Sequence, residues 1–343
     1  MKVIRTARRV LGALLFVFAA LPLSLGGLSL LSVRQWATDP AVYKSLVQDN
    51  RFTALLESPD LPKLAPASIQ LDEFNLEGPA LVQAYQAAVP AKAAVDTAMG
   101  AIDALFSAFD QGASAAAIDL TAFKRAIDSG SSVFASTYLE RATDSAGALP
   151  RNLLPAGAEA AIQTQGGKDL AVKALSDEVR AQADKLPDAL SVPLVSAEDN
   201  RDDQPINLTT ARAGLSAAAF WLTLTGGALC LASAFLSEER WRRRLGTLGS
   251  RVLLPGAIVL VIGLLPHLFN PIAFVRLPSV GQSAMNAVPA LVDYLKFVAG
   301  RLGGGFLITG LVTVGLGTAL VSVKRAIPPS EEEEEEEEQE FQT

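Results

Sequence analysis

The sequence predicts an all-α protein of the membrane: four transmembrane helices and an extracytoplasmic antiparallel helical bundle. Three observations carry this. Val10–Val33, Ala213–Ser237, Val252–Val275 and Leu302–Val323 are apolar stretches of at least 22 residues without Asp, Glu, Lys or Arg. At about 1.5 Å rise per residue, each crosses a hydrocarbon core roughly 30 Å thick. Between the first two lies a polar segment of domain size, in which 24 acidic and 14 basic residues over 35–212 leave a net charge of −10. The short segments flanking the spans are basic instead.

The basic flanks predict the topology. Lys2, Arg5, Arg8 and Arg9 precede the first span, and Arg34 alone follows it closely. Residues 1–9 are therefore expected in the cytoplasm, 10–33 as transmembrane helix 1, and 34–212 outside. The second span, 213–237, returns the chain to a basic loop, 238–251, holding Arg240, Trp241, Arg242, Arg243, Arg244 and Arg251. Span three, 252–270, leads outward and span four, 302–323, leads back to Lys324 and Arg325. The first stretch reads as an uncleaved signal anchor, because a signal-peptide core is usually about 7–15 residues and ends at an Ala-x-Ala-like site. Here the run is longer and offers only Gly26-Gly27-Leu28. The expected location is the bacterial plasma membrane, with both termini cytoplasmic.

Within 34–212, helical periodicity dominates. Thr38-Asp39-Pro40 suits a helix start, and Val42, Tyr43, Leu46 and Val47 form its apolar face before prolines 59, 62 and 66. Leu81, Val82, Tyr85 and Val89 precede Pro90, which should kink the helix or split it, ahead of the clearest helical pattern, with Val95, Met99, Ile102, Leu105, Phe106 and Phe109 on one face. Asp119 can cap the next helix, which Ser129-Gly130-Ser131 is expected to interrupt. A last helix near 168–186 uses Ala171, Leu175, Val179 and Leu186. β-branched alternation is scarce, so a bundle of four or five helices is expected, with Pro187–Pro205 as a solvated connector. Residues 271–301 read as an extracytoplasmic loop with an interfacial amphipathic helix, whose face is Val288, Leu291, Val292, Leu295 and Val298.

Trp36–Tyr43 (WATDPAVY) and Ile118–Lys124 (IDLTAFK), set after a first span and before three more, resemble a group of uncharacterised bacterial multi-pass membrane proteins. Those carry a helical extracytoplasmic domain between the first and second spans. The resemblance implies this layout and no activity.

Two membrane features are candidate sites. Gly305, Thr309, Thr313 and Gly317 recur every four residues, a small-residue stripe against which another helix can pack closely, within this chain or in a second copy. Arg240, Trp241, Arg242, Arg243 and Arg244 form an anchor for the inner headgroup layer of the lipid bilayer. His267, the only histidine, lies between Pro266 and Pro271, where span three should fray. Residues 324–343 contain nine glutamates between Glu331 and Glu340 and read as a disordered cytoplasmic tail.

Function is bounded mostly by exclusion. Cys230 is the only cysteine, so neither an intrachain disulfide nor a cysteine-based zinc site can form. With no histidine or cysteine in 34–212, a Ser-His or Cys-His hydrolase is excluded there. The acidic balance argues against nucleic acid. No metal or cofactor motif stands out. The expectation is a non-enzymatic binding, sensing or partner-recognition protein, with a channel or transporter subunit as the first alternative and a membrane-anchored enzyme as the second. The absence of Asp, Glu, Lys and Arg within the four stretches weighs against ion-coupled transport.

Overall fold

In a computed structural model, residues 2–71, 74–142, 165–194, 207–269 and 282–328 are described. Helix α1 (Lys2–Leu15) passes through one π turn, Phe16–Ala20, into α2 (Leu21–Ala37). The π turn precedes Pro22, which has no N–H to give and whose ring would clash with the carbonyl one turn back. Then follow α3 (Pro40–Gln48), α4 (Asn50–Leu56), a 3₁₀ turn (Leu61–Leu64), β1 (Ser68–Leu71), β2 (Phe74–Glu77), α5 (Gly78–Ala88) and α6 (Ala91–Gln111). The chain continues through β3 (Ala115–Asp119), α7 (Thr121–Ala142), α8 (Gln165–Lys185) and β4 (Ala189–Pro193). It closes with α9 (Leu208–Ser237), α10 (Trp241–Leu268), α11 (Gln282–Asn286) and α12 (Pro289–Ala326).

The protein is mostly helical, and four helices are long and apolar enough to cross a membrane: Thr6–Ala37, Leu208–Ser237, Trp241–Leu268 and Pro289–Ala326. Two compact units result. One comprises residues 1–39, 210–269 and 299–343; the other comprises 40–209 and 270–298.

The apolar unit is held by close backbone approaches. Gly249, Gly256 and Gly263 on α10 and Gly303, Gly310 and Gly317 on α12 both recur every seven residues. A methyl group at Gly317 would lie 2.8 Å from the Leu253 nitrogen, and one at Gly263 would lie 2.6 Å from the Leu307 nitrogen. These helices therefore run antiparallel with glycines at the seam. A second antiparallel seam joins the first span to α9. A methyl at Gly27 would lie 2.6 Å from the Thr223 nitrogen, and one at Gly226 would lie 2.7 Å from that of Ser24. Without a hydrophobic force between helices in lipid, such approaches are how spans associate. Large apolar side chains such as Phe18, Trp221, Leu311, Val312 and Leu316 remain exposed on the outer faces.

The inserted unit has its core where α5, α7 and α8 meet. Ala80, Ala84, Ala135, Tyr138, Leu139 and Leu175 are buried together with Leu76. Tyr138 is wholly buried, and its hydroxyl oxygen accepts the Glu77 backbone N–H at 3.0 Å. Pro90 splits α5 from α6 as expected, and Asp119 begins α7 by accepting the Thr121 N–H at 2.8 Å.

Several expectations are corrected. The unit is not purely helical: β1 and β2 form an antiparallel hairpin, and β3 pairs antiparallel with β4. The second pair joins Ala115–Asp119, poor in β-branched residues, to a stretch assigned to the connector, so tertiary pairing and not local preference makes these strands. Helix α7 runs through Ser129-Gly130-Ser131 without a break. Gly130 is there because a methyl would lie 2.2 Å from the Ala88 carbonyl oxygen, and both serines bond back to carbonyls of their own helix. The apolar face of α6 is only half-buried, with Phe106 against Tyr43 at 5.4 Å.

The interfacial helix is not separate from span four, since α12 is continuous across Leu302. Its start is docked on protein: Tyr294 meets Phe52 at 5.3 Å, and Arg51 lies over Phe297 at 4.7 Å. The basic loop 238–251 is mostly helical too, because α10 begins at Trp241. Residues 324–328 are described, but the glutamate run lies outside the described residues, as do Pro271 and Glu198–Asp203.

Candidate functional site

The predicted stripe divides between two neighbours. A methyl at Gly305 would lie 2.6 Å from the Ser32 carbonyl oxygen on α2. Gly317 instead meets α10, and the Thr313 Cβ would lie 2.9 Å from a methyl at Gly256. Thr309 turns its carbonyl to the Thr313 hydroxyl at 2.8 Å and is half-buried. Four-residue spacing therefore marked two packing surfaces as one. The seven-residue glycine spacing shared by α10 and α12 was the signal for the true seam.

The predicted anchor forms the elbow between α9 and α10. Trp241 is 58% exposed and meets the Phe235 ring edge-on at 5.8 Å. Arg244 lies over the same ring at 4.5 Å and donates from Nε to the Glu238 carbonyl at 2.7 Å. Arg242 donates to the Lys324 carbonyl at 3.3 Å. From the first span, Arg8 pairs with Glu239 at 3.2 Å and Arg9 with Glu238 at 3.6 Å. The three basic clusters thus meet at one end of the apolar unit. Between the first two clusters is a cavity of about 70 Å³, lined by Arg8, Arg9, Ser237, Glu238, Glu239, Arg240 and Arg243 among others.

Behind this cavity lies a residue the sequence marked only as a flank. Arg251 is 9% exposed and donates to the Ser233 hydroxyl at 2.5 Å and the Ser237 hydroxyl at 2.7 Å. Its guanidinium sits 5.4 Å from the Phe16 ring centre. Two serines a helical turn apart on α9 make this possible, since both point at one side of α10. Nearby, Cys230 is buried 3.9 Å from the Ser24 hydroxyl.

Elsewhere the candidates serve structure. His267 is exposed, and a methyl at Gly300 would lie 3.0 Å from its ring. Lys124 is tied to Asp188 at 2.7 Å. The hydrogen bonds from Thr121, with Arg125 nearby, hold the Asp119 carboxyl below its usual range. Burial pushes the Tyr138 phenol up. Among the described residues, no three His, Cys, Asp or Glu side chains come together as metal ligands. Comparison with protein-family models, curated proteins and solved structures finds no match.

Proposed function

We propose that this is a multi-pass protein of the bacterial plasma membrane whose helical unit, outside the cytoplasm, binds or senses a partner without catalysing a reaction. The observation that carries this reading is α12. Its segment up to Val298 belongs to the inserted unit, and from Ala299 it belongs to the apolar unit, in one unbroken helix. Tyr294 and Phe297 fix its start on α4, and Gly303, Gly310 and Gly317 fix its remainder on α10. At about 1.5 Å per residue the helix extends roughly 57 Å. The glycine seams favour packed spans over a pore lining.

Orientation follows from charge. Arg8, Arg9, Arg240, Arg242 and Arg243 lie at the end shared with Lys324, which supports a cytoplasmic face there. The close approach of Gly12 to Ser237 and the Arg8–Glu239 pair support a retained first span.

Cysteines placed singly at Ser114 and Ser330, in a Cys230→Ser background, test the topology with an impermeant thiol reagent on intact cells. Ser114 should label and Ser330 should label only after lysis; equal labelling sinks the orientation. Photo-crosslinkers at the exposed Val133, Leu170 and Leu190 should each be tried for a discrete adduct, with a partner protein or a second copy. No adduct from any of them counts against recognition by this unit.

A further inference from the structure

We draw no further inference here: the strongest candidate, the outward face of α12 where Ile308, Val312, Gly315 and Ala319 are exposed, is an unpartnered apolar face of a span, and nothing in the structure shows what covers it.

Discussion

Replacing Gly317 with alanine should loosen the apolar unit, and the structure allows the size of the effect to be worked out. The new methyl carbon would sit 2.8 Å from the Leu253 nitrogen and 2.9 Å from both the Gly249 oxygen and the Leu253 Cα. All three are backbone atoms of α10, so no side-chain rotation relieves the contact. Restoring an ordinary separation of about 3.5 Å requires the helices to part by about 0.7 Å, enough to forfeit a quarter to a half of each contact along the seam. Overpacking of this kind costs about 1–3 kcal/mol. Alanine also gains about 1 kcal/mol over glycine as a helix former, which would mask part of the loss. Gly315→Ala removes that ambiguity, since a methyl there meets nothing within 4 Å. Both variants share the propensity gain, and their difference isolates packing. Thermal unfolding in detergent should therefore place Gly317→Ala several degrees below Gly315→Ala. Equal melting would mean that the α10–α12 seam does not bear on stability.

Two further outcomes concern the inserted unit. Tyr138→Phe leaves the Glu77 N–H without its acceptor and should lower stability by about 1 kcal/mol, seen as a lower melting temperature with unchanged helical circular dichroism. An unshifted transition would show that the bond contributes nothing. The Asp119 carboxyl has a lower pKa folded than its ordinary 3.8, so its contribution is complete above that value and fades as the pH falls through it toward the folded pKa. Asp119→Ala should therefore be less stable than wild type at pH 7, and Asp119→Asn, which still caps, closer to it. Both gaps should shrink in acid, and a gap that grows in acid would contradict the sign.

The spans were legible because their cause is local: a hydrocarbon core demands about twenty residues without charge, and any window along the chain shows whether that holds. Helix ends were less legible. A charged residue leaves the hydrocarbon without leaving the helix, so α10 reaches back to Trp241 and α12 to Pro289. In the inserted unit, Pro90 acted through its own ring and Asp119 through a carboxylate that bonds two residues on, so both were read correctly, whereas β3 and β4 exist only because one pairs with the other.

The elbow shows the same division. Each of its basic clusters was visible, but their meeting depends on Arg8 and Glu239, 231 residues apart, and on Arg242 reaching Lys324. Arg251 was the hardest case. One position outside an apolar run, it looked like a solvated flank; it is buried because Ser233 and Ser237 on the preceding helix offer hydroxyls at the right height. A charge beside a span is therefore not placed by hydropathy alone. Its burial depends on whether a neighbouring helix presents small polar residues a turn apart, a pattern that lies in the other helix's sequence.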